Sequence, residues 1–221
     1  PVPGGDVGGV GRFGGAACVV LGQNRGGQTV ERPLTPSGLR TARRGMRLAG
    51  ELKLPLVSII DTAGAALSKE AEEGGLAGEI ARCLSELVTL DAPTICVLLG
   101  EGTGGGALAL MPADKVICAQ HSWLSPLPPE GAAAILHRDP SRAPELAAAQ
   151  GVRSLDLLRT GIVDRIVAEH PDAADEPEAF CGRMSHVLQY ELAKLLAMDP
   201  AKRLAARLRR YRMLGPVGAT R

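Results

Sequence analysis

Pro93-Thr-Ile-Cys-Val-Leu-Leu-Gly-Glu-Gly-Thr-Gly-Gly-Gly-Ala-Leu-Ala-Leu110 decides how this chain is read. An apolar run from Ile95 to Leu99 stops at a cluster of five glycines and restarts as a small-residue helical pattern. That is a buried strand delivering bare backbone to a helix N-terminus. Glycine lets a ligand approach the main chain closely, and the amides of a first helical turn face outward, suited to negative charge. The anion is either a phosphate or an oxyanion formed during a reaction.

Working outward, strands alternate with helices, which implies an α/β fold with parallel pairing through right-handed crossovers. Residues 1–15 hold seven glycines and read as a flexible lead-in. Ala16 to Leu21 is a short strand, followed by a glycine-rich turn at 22–27. Thr35 and Pro36 signal a helix start, and Leu39, Ala42, Met46 and Ala49 carry its helical spacing to Leu52. Leu56 to Ile60 is a buried strand ending in Asp61-Thr-Ala-Gly64. A second helix is expected over about 70–90, a strand over 116–119, and helices near 131–137, 143–149 and 154–160. Residues 16–169 form the core. Residues 170–221 are a polar linker followed by amphipathic helices suited to assembly.

Composition narrows the function. A net charge of +1 gives no global pull toward nucleic acid or an anionic membrane, and 2% aromatic content leaves few stacking platforms for bases. No apolar run nears the roughly 20 residues that span a bilayer, and no signal peptide is visible. The five cysteines form no CxxC pair, so they read as reduced core residues of a cytoplasmic protein. The four histidines show no metal spacing. The chain opens at Pro1 rather than Met, as a fragment of a longer protein would.

The glycine motif admits several chemistries. Gly9-Val-Gly11-Arg-Phe-Gly14 matches a dinucleotide pattern but precedes a strand instead of following one. Gly102-Thr-Gly104-Gly-Gly-Ala107 has the right context, yet Met111-Pro112 cuts its helix short and no acidic residue stands where a ribose contact belongs. No Gly-Lys-Ser/Thr completes a phosphate loop. Gly105, Gly106 and Ala107 offer consecutive backbone donors with almost no side chain to block a thioester or ureido oxygen. Close helix–strand packing is the competing explanation for the same glycines. Asp61, Thr62 and Gly64 end the neighbouring strand near the same rim, either in contact with a ligand or as an Asx-type turn. Glu101 could act as a base or cap the loop, and the cap is favoured. No GxSxG or nucleophile with triad partners is present. Arg40, Arg43, Arg44 and Arg47 make one basic stripe on the first helix, either a solvated face or a contact to phosphate or partner. The basic tail Lys202–Arg212 has the same two readings, with subunit contact as its alternative.

Four segments resemble a known family when taken together: Pro55-Leu-Val-Ser-Ile-Ile-Asp-Thr-Ala-Gly64, Glu72-Glu-Gly-Gly75, Gly100-Glu-Gly-Thr-Gly-Gly-Gly-Ala-Leu108 and Pro129-Glu-Gly-Ala-Ala-Ala-Ile-Leu136. They are similar, in order and spacing, to the carboxyltransferase α subunit of bacterial acetyl-CoA carboxylase, equivalent to the C-terminal half of fused acyl-CoA carboxyltransferases. The resemblance implies a crotonase-like fold, a spiral of ββα units with trailing C-terminal helices. It implies a reaction moving a carboxyl group from carboxybiotin on a carrier protein to acetyl-CoA, giving malonyl-CoA for fatty acid synthesis. Gly106 and Ala107 carry over as donors to the biotin oxyanion, with Gly105 beside them. Gly74, Gly75 and Gly102 carry over as substrate-side glycines. The implied partners are a β-type half that binds most of the coenzyme A, a biotin carboxyl carrier protein and a biotin carboxylase, in an oligomer. Biotin's N1 takes the acyl α-proton in this family, so no protein base or metal is required. Ala63 departs from the family's proline, and Pro128 from its serine. Two other readings stay open: a self-sufficient crotonase-type hydratase or decarboxylase, and a non-catalytic assembly subunit. On the oxyanion reading, Gly106→Val is expected to cut turnover about 10²-fold and leave the fold intact.

Overall fold

The computed structural model describes residues 6–23, 25 and 34–213. One seven-stranded sheet organises them, in the order β1-β2-β3-β4-β5-β7, with β6 paired to β4 off this path. The strands are β1 (Asp6–Phe13), β2 (Ala16–Gln23), β3 (Leu56–Thr62), β4 (Thr94–Thr103), β5 (Lys115–Ala119), β6 (Trp123–Ser125) and β7 (Arg165–Val167). Only β1–β2 is antiparallel; every other pairing is parallel. Strands laid down in sequence order, each joined to the next by a right-handed crossover, put successive helices on one face and wind the chain as a spiral. The strand-strand-helix units expected of that spiral recur at β1–β2–α1 (α1, Pro36–Leu52) and β5–β6–α5 (α5, Pro129–His137).

Alternation along the strands supplies two cores. Leu21, Leu56, Ile60, Cys96, Leu98 and Val116 face α1, α3 (Leu76–Thr89) and α4 (Gly104–Leu108). Their neighbours Cys18, Val57, Ile95, Val97 and Ile117 face Phe180, Met184, Leu188, Leu192 and Leu195 of α8 (Pro177–Ala197). Because successive strand residues point to opposite faces, a strand buried on both sides reads as an unbroken apolar run. The predicted strands at 56–60, 95–99 and 116–119 are such runs.

Four expectations are corrected. Residues 1–5 lie outside the described residues, and the flexible lead-in expected over 1–15 does not hold for residues 6–13, which form β1, paired in register from Asp6↔Gln23 to Phe13↔Ala16. Glycines at 8, 9 and 11 hide its alternation, and Gly14 and Gly15, at φ +56° and +85°, close the tight turn that pairs it with β2. A core starting at residue 16 therefore cuts a hairpin. The helix expected over 70–90 is two, α2 (Lys69–Glu73) and α3, broken where Gly75 takes φ +83°. The three-residue strands β6 and β7 are too short to show a period. Finally, the apolar stripe expected to seek cover in an assembly is covered by the chain's own sheet.

The tail holds a larger surprise. In α9 (Pro200–Met213) Arg203 and Arg207 turn inward, Arg207 fully buried, while Lys202, Arg209 and Arg212 stay exposed. The Arg207 guanidinium donates to both oxygens of Asp114 at 2.8 and 2.6 Å and to the carbonyls of Leu87, Leu90 and Ala92. Neither a solvated face nor a subunit contact describes it. Among the described residues no helix is long and apolar enough to cross a membrane.

Candidate active site

The site begins where β4 outgrows its neighbours. Residues 95–98 pair with β5, and Glu101 to Thr103 pair with β6, so the strand changes partner at Leu99–Gly100. The β3 register slips at the same level, between Ile60 and Thr62. Asp61 braces the slip, with Oδ1 accepting from the Glu101 amide at 3.0 Å. A Cβ on Gly100 would stand 2.7 Å from that oxygen, so glycine is required there. This is the turn-closing role weighed for Asp61. Thr62 is buried, and its hydroxyl accepts from the Gly64 amide at 3.1 Å while Gly64 holds φ +118°.

The strand runs straight into α4, where Gly104 takes φ +60°. Thr103, the N-cap residue, makes no side-chain bond to the helix, because its hydroxyl donates to Glu101 Oε1 at 3.1 Å. Glu101 Oε2 lies 2.9 Å from Arg25 Nη2. The carboxylate is thus held in a local network, as a cap reading requires. No side chain caps the amides that open α4, and amides of a first turn have no partner inside their helix.

Around that turn the chain converges. A Cβ on Gly106 would meet Leu34 Cδ2 at 2.9 Å and the backbone of Gly64 and Ala65 at 3.1 Å. Leu34 is tied to the same loop by a bridge to Ala65, and its carbonyl accepts from the Ala66 amide at 2.9 Å. Two residues on, Pro36 packs where Gly74 lacks a side chain. Gly64, Gly74, Gly75 and Gly106 therefore belong to one neighbourhood linked by the 34–36 segment. Gly105 is half-buried, Gly106 buried and Ala107 fully so, so burial deepens along the turn.

Other predicted residues fare differently. Gly102 faces β6, where a Cβ would strike Leu98, Leu124 and the Trp123 carbonyl, so strand packing explains it. Gly106→Val can no longer be expected to spare the fold, because the added atoms meet main chain. Within the arginine stripe Arg43 is spent on α3, while Arg40 and Arg47 lie about half-exposed at the edge of that network. Arg43 donates to Glu86 and Glu79 of α3 at 2.8 Å each, Arg40 reaches Glu79 at 3.5 Å, and Arg47 reaches Glu86 at 3.2 Å. Burial raises Glu79 and Glu86, but the bonds and charges of these arginines outweigh it and hold both below the usual carboxylate range. Arg44 is exposed on the same helix.

Two features were not legible in the sequence. A cavity of about 830 Å³ opens beside β6, lined by Trp123, Pro129, Pro144, Val152 and Ser154. It is built from residues about 30 positions apart in the chain, such as Trp123 and Ser154. His121, Glu169 and Asp172 also gather with their ligand atoms within 4.8 Å. Glu169 is already occupied there: it accepts from the amides of His121 and Ala173 and faces His121 Nδ1 at 3.1 Å.

The cysteines fit the reduced-core reading. Four of the five are buried, and burial pushes the Cys96 and Cys118 thiols up to about 12 and 11.

Comparison with known proteins bears on this geometry. A family model described as acetyl co-enzyme A carboxylase carboxyltransferase-like matches residues 5–215. The chain is 60% identical over 208 residues to a probable biotin-dependent acyl-coenzyme A carboxylase beta3 subunit of Mycobacterium tuberculosis (strain ATCC 25618 / H37Rv), covering 92% of this chain. It spans 41% of that protein's length. It is 39% identical over 219 residues to an acetyl-coenzyme A carboxylase carboxyl transferase subunit alpha of Caulobacter vibrioides (strain NA1000 / CB15N), covering 96% of this chain and 68% of that one. In fold it resembles a transcarboxylase 12S structure, at TM-score 0.75 and 19% identity, over 88% of this chain and 37% of the other. A Pseudomonas malonate decarboxylase heterodimer gives TM-score 0.74 at 19% identity, over 96% and 92%.

Proposed function

Because the chain belongs to the acetyl co-enzyme A carboxylase carboxyltransferase-like family, we propose that it is the carboxyltransferase half that receives carboxybiotin, working with a partner half that holds the acyl-CoA. The single observation that carries this reading is the glycine turn of α4, whose N-cap side chain makes no bond to it and which is closed in by Gly64 and Leu34. Carboxybiotin, brought by a carrier protein, supplies the carboxyl group and a nitrogen that can take the acyl α-proton once that group has left. The part of this chain is electrostatic. The amides of Gly105, Gly106 and Ala107 donate to the ureido oxygen as negative charge gathers there, and their fixed orientation avoids reorganisation at the moment of transfer. The acceptor is an acyl-CoA thioester. Acetyl-CoA, named for the Caulobacter relative, is the acceptor we assign, giving malonyl-CoA for fatty acid synthesis in the cytoplasm. A biotin carboxylase recharges the carrier.

A self-sufficient hydratase or decarboxylase would need a carboxylate free to move a proton beside the turn. Asp61 is spent on the Glu101 amide, and Glu101 on Thr103 and Arg25. The decisive assay is transfer of the carboxyl group from malonyl-CoA to biocytin, with and without a β-type half. Activity is expected only in the mixture. Transfer by this chain alone, or none in a stable assembled complex, would overturn the reading.

A further inference from the structure

Gly106 is pressed against Leu34 and the backbone at 64–65, and its carbonyl has an unexpected partner. In a helix the carbonyl of residue i accepts from the amide of residue i+4. The Gly105 carbonyl does so, taking the Ala109 amide at 3.0 Å. The Gly106 carbonyl does not: α4 tightens here, and the Leu110 amide goes to Ala107 at 3.2 Å instead. In its place Gln23 Nε2, from the end of β2, donates to the Gly106 carbonyl at 2.8 Å across 83 positions of sequence.

The peptide group is rigid, so fixing a carbonyl fixes the amide of the next residue. The helix anchors the plane that carries the Gly106 amide, and Gln23 anchors the plane that carries the Ala107 amide. A hydrogen bond to the carbonyl also polarises its own peptide group and strengthens the N–H as a donor. Gln23 is 5% exposed, and its Oε1 is buried with no hydrogen-bond partner among the described residues. An open buried acceptor costs about 1–3 kcal/mol, a penalty that packing alone gives no reason to keep.

We propose that Gln23 is a positioning residue for the carboxyl transfer, aiming and polarising the Gly106–Ala107 peptide; the inference rests on the oxyanion reading above. The experiment uses the chain assembled with its partner half and follows malonyl-CoA to biocytin transfer. Gln23→Met removes one unsatisfied acceptor and creates another at the Gly106 carbonyl, so its unfolding temperature should stay near wild type. Its kcat should fall about 10- to 100-fold, less than the loss of a donor outright, with KM for malonyl-CoA unchanged. Gln23→Glu adds a readout that mere packing would not move. Its neutral acid can donate to the Gly106 carbonyl and its carboxylate cannot, so its kcat relative to wild type should recover as pH falls. A wild-type kcat in Gln23→Met, or a wild-type pH profile in Gln23→Glu, overturns the inference while leaving an active complex and the proposed function in place. A wild-type complex that does not transcarboxylate removes both, and if Gln23→Met does not fold, the pH profile of Gln23→Glu decides.

Discussion

Replacing Arg207 with methionine tests the most consequential misfit between the charge pattern and the fold. The side chain is fully buried and makes five hydrogen bonds, two to Asp114 and three to main-chain carbonyls at and beyond the end of α3. Methionine keeps most of the aliphatic volume, so the loss is mainly electrostatic. Asp114 would stay buried with bonds from the Thr94 amide and hydroxyl, and with Arg203 Nε no nearer than 3.8 Å. Removing one partner of a buried ion pair costs about 3–5 kcal/mol, because the other charge is left uncompensated. For a chain of this length each kcal/mol moves the unfolding temperature by about 2–4 °C, so the expected drop is about 6–20 °C. Urea unfolding followed by circular dichroism, with calorimetry alongside, measures both quantities. Adding Asp114→Asn to the variant should cost little more, since the two positions share one interaction. A solvated arginine would contribute under about 1 kcal/mol. A measured loss that small, or additive effects of the two substitutions, would refute the buried-lock reasoning.

Three further outcomes concern α1 and the glycine turn. Glu79 and Glu86 have lowered folded-state pKa values, so their contribution is present above the unfolded carboxylate value and is lost as pH falls through the folded one. Arg43→Met leaves the burial of Glu79 and removes its main partner; stability should therefore fall most at neutral pH, with variant and wild type converging as pH falls, and an equal loss at every pH in urea unfolding would count against the network. Reversing Arg43 should likewise lower stability without changing KM for the acyl-CoA. Within the glycine turn, Gly105→Ala meets only the terminal Cδ1 of Ile80, whereas Gly106→Ala pushes on the backbone at 64–65. Thermal unfolding and transcarboxylation should both suffer more in Gly106→Ala, and equal behaviour would remove the close approach from the explanation.

The contrast between these residues explains what the sequence could and could not tell. Strands buried on both faces appear as apolar runs, and α1 announced itself through Thr35, Pro36 and a 3.6-residue stripe, matching its observed bounds at Pro36 and Leu52. The glycine turn was legible because main-chain sites advertise themselves by absent side chains. β1 was missed because the same absence erases a strand's period. The arginines of α1 and α9 were misjudged for another reason. Charge periodicity shows which residues share a face but not what that face meets, and Glu79, Glu86 and Asp114 lie 30 to 90 positions away. Gln23 had no signal at all, since a lone glutamine at a strand end becomes informative only once Gly106 is beside it.

The change of partner along β4 divides the strand into two regimes of inheritance. Up to Leu98 a position is judged by volume, because its side chain fills one of two apolar layers, and a residue of similar bulk will serve. At Gly100, Gly102, Gly105 and Gly106 a position is judged by the room its backbone needs against Asp61, Leu124, Ile80 and Ala65, and an added side chain is refused. The scaffold can therefore drift in sequence while the turn it delivers stays nearly frozen. Variation is then left to the side-chain-rich walls around β6 and the helices beyond it.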